Sequence, residues 1–457
     1  VTAGVAALVV AKHPDWTPLQ VKAAVMNTAT NDLFTDEGRT GAKYGPARVG
    51  AGRIDARSAT ETTTLAWTSG TNNPVSATFG VVNVAAGAAN ATRSKTVTVR
   101  NNSSASVTYK LGWQGATNQP GVRYTLSATS VTVPARSERS VTLNMVVTPS
   151  AVQRQIDPTM DVEQLETPRQ FVSAASGRLT ITAPNKPALR VPVHGVARVN
   201  STTTASVANQ QLVLSGNGVD QGTGTARQRS VVSVLELGAR SGQMPICTGT
   251  QTVGCVDQGS DRGMDIQSVG AGSSSTHLWF GLDAWGDWAT TGRLSVPFVD
   301  YDVNGDGTPD YETYLQFFPD SDVLYSVTVD LESGDTVDLQ PVNFFDADVD
   351  TNVFDTDVVL LPVRKAAIGL PTSGTASAPI TYVAGVYDGN AGGNADVTGE
   401  VQYDAGNPRI RTAGPLFEDT DGATIDLLGA GGADALVLHL YGAPGRRGEI
   451  VPVPAVG

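Results

Sequence analysis

Apolar residues follow two rhythms along the chain. Over residues 1–12 (VTAGVAALVVAK) small and branched apolar side chains occupy nearly every side of a helical wheel, which predicts a helix buried all round and ended by Pro14. A second helix is marked at its start. Thr17 is a good N-cap, Pro18 suits the first helical position, Gln20 completes a capping box, and Trp16 and Val21 are spaced for a hydrophobic staple. The pattern runs through VKAAVMNTA and stops near Thr30. Two such helices without a sheet bury too little surface to stand as a domain.

From about Ser58 the rhythm changes to alternation. Residues 96–99 before Asn101-Asn102, then 107–111, 131–134, 141–147, 179–181 and 189–193 read as short half-buried strands. They predict an antiparallel β-sandwich over 58–198, with the polar, aperiodic stretch 150–170 as a long loop. Residues 199–457 continue as an all-β region richer in Asp and Gly, with strands expected at 231–237, 324–329 and 358–363. One large sandwich or two small ones fit it equally well. The expected fold is mainly β, with antiparallel β-sandwich domains following a short helical segment over 1–57.

Composition narrows the classes. A chain of 457 residues exceeds one ordinary core, and its 49 Gly and 25 Pro suit many turns. A net charge of −13 repels phosphate backbones, which argues against a nucleic-acid partner. It suits solubility outside the cell and the binding of hard cations. No apolar run reaches the roughly 18 residues of a membrane span. Cys247 and Cys255, the two cysteines, lie in a Gly/Thr-rich stretch and read either as a small disulfide-closed loop or as two free thiols. With no His nearby, they make a poor metal site.

One segment carries the chemistry of a cation loop, residues 300–311 (DYDVNGDGTPDY). Oxygen-bearing side chains at alternate positions let a short loop wrap Ca²⁺, and Gly305 permits the sharp turn. Asp300, Asp302 and Asn304 take the first three ligand positions, with Asp306 or its carbonyl and Asp310 supplying the rest. Tyr311 stands where a bidentate Glu is usual in an EF-hand, so a structural loop between strands is expected. The alternative is an Asp-Gly turn that binds nothing. Two further acidic clusters, one of Asp346, Asp348, Asp350, Asp355 and Asp357 and one of Asp419 and Asp421, read more readily as solvated turns. The stretch HLWFGLDAWGDW concentrates Trp279, Trp285 and Trp288, either as sandwich core or as a face that stacks on a sugar or peptide. The histidines are His13, His194, His277 and His439, and no Ser lies in a G-x-S-x-G elbow, so no catalytic residue is assigned.

The opening residues carry a family likeness. The helix Val-Thr-Ala-Gly-Val-Ala-Ala-Leu, then His13-Pro14-Asp15-Trp16-Thr17-Pro18, Val21-Lys22-Ala23-Ala24-Val25-Met26-Asn27-Thr28-Ala29, Tyr44-Gly45, and Gly50-Ala51-Gly52-Arg53-Ile54-Asp55-Ala56 follow one another in this order. In that order residues 1–57 resemble the end of a subtilisin-like (subtilase) catalytic domain. The resemblance implies that the nucleophile motif G-T-S-M-A-x-P and all three triad residues precede Val1. This chain would then be the inactive C-terminal fragment of a secreted bacterial serine endopeptidase. Polypeptide substrates would meet the missing catalytic part, and no cofactor beyond structural calcium is implied.

Residues 58–198 resemble the fibronectin-type-III-like domain of larger subtilases. The cues are Phe79-Gly80, the T-V-T-V-R-N-N strand end, Val131-Thr132-Val133-Pro134, Ser176-Gly177 and Val191-Pro192-Val193. The last region is similar to C-terminal β domains of secreted bacterial subtilases. Two other expectations compete. One is a non-catalytic adhesion or carbohydrate-binding module contacting a surface glycan or protein, which exposure of Trp285 and Trp288 would favour and their burial would disfavour. The other is a miscalled open reading frame whose true start lies upstream.

Overall fold

The computed structural model describes residues 1–456 except 72–73, 169–173, 250–253, 289–290, 293, 322, 344–353 and 373–375. Asp346, Asp348 and Asp350 of the first weak acidic cluster thus lie outside the described residues. Four helical stretches open the chain: α1 (Thr2–Lys12), α2 (Pro18–Asn27), α3 (Pro46–Val49) and α4 (Ala56–Glu61). The capping box of α2 is made as read. The Thr17 hydroxyl accepts from the Gln20 amide at 3.4 Å, and the Gln20 side chain accepts from the Thr17 amide at 2.8 Å. The helix stops at Asn27, a little before Thr30.

The expected full burial of α1 is corrected. Only Val5 and Val9 are buried, while Leu8 and Val10 remain 55% and 48% exposed. Val5 and Val9 are one turn apart on the stripe that meets α2 and α4, and a helix packed from one side buries one stripe whatever its composition. Apolar content alone cannot report which faces are covered.

Contact patterns divide the chain into two compact units. The first comprises Val1–Asp161, Phe171–Val199 and Gln221–Gln228; the second comprises Val162–Gln170, Asn200–Asp220 and Arg229–Gly457. In the first, the sandwich strands are β1 (Thr64–Thr68), β2 (Ala77–Ala85), β3 (Ala91–Asn101), β4 (Val107–Thr117), β5 (Val122–Leu126), β6 (Ser130–Val133), β7 (Ser137–Val147), β8 (Ala175–Thr182) and β9 (Leu189–Asn200). They form antiparallel sheets of order β1-β3-β7-β5 and β2-β9-β8-β4-β6. Val97, Val99 and Leu143 of one sheet pack with Tyr109, Leu179, Ile181 and Val191 of the other. The helices join this body through β1: Leu65 shares a core with Val5, Val21 and Ala59. Asn27 is buried and accepts from the Ala66 amide at 2.8 Å.

The second unit is built on two larger antiparallel sheets. One runs β17-β12-β11-β10-β21-β22 and joins β10 (Val231–Arg240), β11 (Ile266–Ser273), β12 (His277–Trp288), β17 (Thr356–Arg364), β21 (Ala433–His439) and β22 (Gly448–Val453). The other runs β16-β15-β14-β13-β18-β19, with β20 beside β18. Its strands are β13 (Ser295–Asp302), β14 (Tyr311–Phe317), β15 (Leu324–Asp330), β16 (Thr336–Pro341), β18 (Pro379–Asp388), β19 (Gly393–Val397) and β20 (Val401–Asp404). Phe280, Leu282 and Val359 of the first face Tyr301, Leu315 and Tyr382 of the second. On its opposite face the first sheet buries Leu235, Trp279, Leu360 and Leu438. Burial on both faces explains why β12 and β17 read as nearly continuous apolar runs.

Candidate functional site

The expected cation loop joins β13 to β14. Asp302, at the end of β13, is buried, and its carboxylate accepts from the amides of Asn304 at 3.0 Å, Gly305 at 2.6 Å and Gly307 at 2.8 Å. The bonds from Gly307, then Gly305 and Asn304, hold its carboxyl below the usual aspartate range. The Asn304 side-chain Oδ1 accepts from the Asp306 amide, and the Asp306 carboxylate accepts from that of Thr308, both at 2.8 Å. Asp310 closes the loop by accepting from the Val303 amide at 2.8 Å and from the Asn304 side chain at 2.6 Å. Three carboxylates thus occupy nine residues, and none of them forms an ion pair with a Lys or Arg among the described residues.

Asp300 sits apart from them. It lies within β13 opposite Glu312 of β14, and burial followed by their mutual proximity raises the Glu312 carboxyl, as burial raises that of Asp300. Both glycines of the loop sit in the left-handed region, Gly305 at φ +80° and Gly307 at φ +85°, so the chain turns sharply between Asp302 and Asp310. In the geometry described, no three His, Cys, Asp or Glu side chains converge on one point among the described residues.

The two weak acidic clusters are corrected where they are described, because Asp357 and Asp419 are not solvated. Asp357 is 1% exposed and takes a 2.8 Å bond from Arg447, itself fully buried, which also reaches Asp287 at 2.6 Å and the Gly442 carbonyl at 2.9 Å. Asp283 is buried beside them, its carboxyl raised well above the ordinary range by burial and then by the charge of Asp357. Asp419 is fully buried and accepts from the Thr203 hydroxyl. Asp421, by contrast, behaves as a turn residue, accepting from the Gly216 amide at 3.0 Å. The partners of Asp357 and Asp419 come from segments far away in sequence, Arg447 just before β22 and Thr203, so local spacing carried no sign of them.

The same region brings a hydroxyl, an imidazole and a carboxylate into line. His439 lies 3.3 Å from the Thr203 hydroxyl through Nδ1 and 3.2 Å from Glu449 through Nε2. This line is not a nucleophilic centre. Thr203 is buried, its proton is committed to Asp419, and a nucleophile must reach substrate. The other histidines serve packing and turns. His13 stacks on Trp16 at 3.9 Å and bonds the Thr60 carbonyl, His277 bonds Thr276 at 2.9 Å, and burial lowers the His194 pKa.

Trp279 and Trp288 are 1% and 4% exposed, and the Trp285 indole donates to the Ser241 carbonyl at 3.3 Å. The flat tryptophan face expected of a stacking surface does not form, because β12 is covered on both sides. Cys247 and Cys255 are joined in a disulfide with Cα atoms 5.0 Å apart, and no described cysteine is free. No helix is long and apolar enough to cross a membrane among the described residues.

No protein-family model matches the chain, and no curated protein matches it. Among solved structures, the chain is similar to the secreted serine protease VesC from Vibrio cholerae at 9% identity, over 76% of this chain and 48% of that one, with a TM-score of 0.19. A FixG-related protein from Vibrio parahaemolyticus overlaps at 13% identity, over 23% of this chain and 78% of that one, with a TM-score of 0.16. The YadV chaperone overlaps at 10% identity, over 74% and 98%, with a TM-score of 0.17. At such scores none of these likenesses bears on function, and the mainly β, antiparallel character of the chain rests on its own sheets.

Proposed function

We propose that this chain is the non-catalytic C-terminal part of a secreted subtilisin-like serine endopeptidase, acting as a brace and β scaffold for a catalytic domain encoded upstream. The supporting observation is the pairing of the linked opening motifs with the one-sided burial of α1. Leu8 and Val10 present apolar side chains on a helix whose other stripe is packed, as expected of a helix that a further layer covers. In the parent, peptide bonds would be hydrolysed by acyl transfer through a serine shortly before α1. The test is to express this chain beside a version extended upstream in frame. A fluorophosphonate probe should label a serine just ahead of Val1 in the longer polypeptide and leave the shorter one unlabelled. An upstream frame without a labelled serine, or peptidase activity in this chain itself, would overturn the reading.

Structural calcium belongs to the same proposal. The donor set fits: Asp302, Asn304, Asp306 and Asp310 offer hard oxygens, and among the described residues no Lys or Arg pairs with their carboxylates. A bound ion would neutralise that charge and rigidify the loop between β13 and β14. Saturating calcium should raise the melting temperature of the full chain relative to chelator. At a hundredfold excess over Kd the gain is about 2.7 kcal/mol, on the order of 5–10 °C. Asp302→Ala/Asp306→Ala should abolish the shift, and Asp300→Asn should keep it. A shift absent from the wild type reduces the loop to a hydrogen-bonded turn.

A further inference from the structure

β20 lies at the margin of the second sheet of the second unit, paired with β18 on one side. In an antiparallel ladder, opposed residues alternate between pairs that exchange main-chain bonds and pairs that do not. Ala405, just past β20, donates to the Ala378 carbonyl at 2.9 Å, so Tyr403 and Val401 take the bonded positions opposite Ile380 and Tyr382. The amides and carbonyls of Gln402 and Asp404 therefore point away from β18. Among the described residues no strand pairs with β20 on that side. The same strand lines an open cleft of about 720 Å³, in which five consecutive residues, Glu400–Asp404, span about 17 Å of extended chain. Tyr403, which faces the core, and Gln402, which faces solvent, both line it, so the cleft runs along the edge of the strand.

The other walls are Glu236–Arg240 of β10, the segment around Pro408 and the start of β21. The Glu236 carboxylate accepts from the amides of Arg409 at 2.7 Å and Ile410 at 3.1 Å, which ties that segment to β10. Arg240 pairs with Asp434 at 3.3 Å. Walls tied in this way hold the cleft formed before a guest arrives, which lowers the cost of binding. The mouth is accessible, because Glu400, Gln402, Asn407 and Arg409 are all exposed. Sheet edges are commonly blunted by Lys or Pro, and β20 carries neither. A row of outward amides and carbonyls at alternate residues is matched by another extended chain. The lining holds four carboxylates, of Glu236, Glu400, Asp404 and Asp434, against the guanidiniums of Arg240 and Arg409, so it favours a basic side chain on the guest over an acidic one.

We propose that this cleft binds an extended polypeptide segment bearing a basic side chain, which adds to β20 as a further strand. The site lies wholly within the second unit and is independent of any upstream catalytic domain. It is tested by titrating the full chain calorimetrically, at low salt, with the capped peptide acetyl-Thr-Val-Arg-Val-Thr-amide and with the same peptide carrying Glu in place of Arg. The Arg peptide should bind at one equivalent and the Glu peptide about fivefold more weakly. Gln402→Pro removes an N–H that makes no ladder bond, so it should melt within a few degrees of the wild type while binding the Arg peptide about tenfold more weakly. Should that variant fail to fold, the wild type decides the matter with two N-methylated forms of the Arg peptide, one methylated at the Arg amide and one at both Val amides. A strand offers alternate amides to its neighbour, so at least one form should lose about tenfold in affinity. No binding of the Arg peptide at millimolar concentration, equal affinity for the Arg and Glu peptides, undiminished binding by folded Gln402→Pro, or two methylated forms that both match the parent would each overturn the assignment.

Discussion

Arg447→Met should be among the most damaging single substitutions in the second unit, costing about 3–5 kcal/mol, as expected when one partner of a buried ion pair is removed. Among the described residues Arg447 is the one cation hydrogen-bonded to both Asp287 and Asp357, and Asp283 is buried close by. Without it, two bonded carboxylates lose their donor, and Asp357 stays in a site that excludes water. The arrangement is already unbalanced, with three carboxylates around one guanidinium, so the cluster should respond to pH. The Asp283 carboxyl is raised in the folded state, first by burial and then by Asp357. The folded protein therefore holds a proton that the unfolded chain has released. That contribution is fully present below the ordinary aspartate pKa of about 3.9 and is lost as pH climbs from there through the raised folded value. Asp283→Asn should remove the loss, matching wild type in acid and exceeding it at neutral pH by about 1 kcal/mol or more. Melts of the three proteins across pH would check both claims. If Arg447→Met melted like the wild type, Asp357 would have to find another donor, and the cluster described here would not hold the strands together.

These two expectations also show where the sequence was informative. Period-two alternation located six of the nine strands of the first sandwich, missing β1, β2 and β5, and the Thr17–Gln20 box located α2, because both signals are local and backbone geometry enforces them. Of the strands expected between residues 96 and 193, all fall inside observed ones except 131–134, which overruns its strand by Pro134. The acidic segments were harder to read. A run of Asp residues at alternate positions looks the same whether its carboxylates point to a cation, to backbone amides or to a distant arginine. In the structure Asp302 accepts from backbone amides, Asp357 from an arginine ninety residues on, and Asp300 lies opposite Glu312 of a neighbouring strand. Which of these applies depends on strand order, and no local pattern encodes strand order. The same holds for Arg178, whose residue type and spacing are those of any exposed strand position, yet which is fully buried and bonded to the Gly50 carbonyl.

Trp279→Ala is the second large effect, and it separates a core role for the β12 aromatics from a recognition role. Trp279 is 1% exposed and packs among Leu235, Leu360, Leu436 and Leu438, so its removal should cost about 3–5 kcal/mol. Its indole also lies close over Gly272 of the neighbouring strand, where an added Cβ would come within 2.4 Å of Nε1. Gly272→Ala should therefore destabilise the same layer from the opposite side, and the two substitutions combined should cost less than their sum, because the smaller side chain vacates the space that the new methyl needs. Trp285→Ala should lose no more than about 1 kcal/mol beyond its hydrogen bond to Ser241, since its ring is only partly covered. Urea unfolding of the four variants, read by far-ultraviolet circular dichroism so that tryptophan loss does not distort the signal, would measure these costs. A Trp279→Ala protein as stable as the wild type would mean that the ring is not part of the packed layer, and would return β12 to consideration as a binding face. A large loss, partly relieved in the combination with Gly272→Ala, would tie the aromatic run to sheet packing. Any ligand of the second unit must then be sought on surfaces other than its tryptophans.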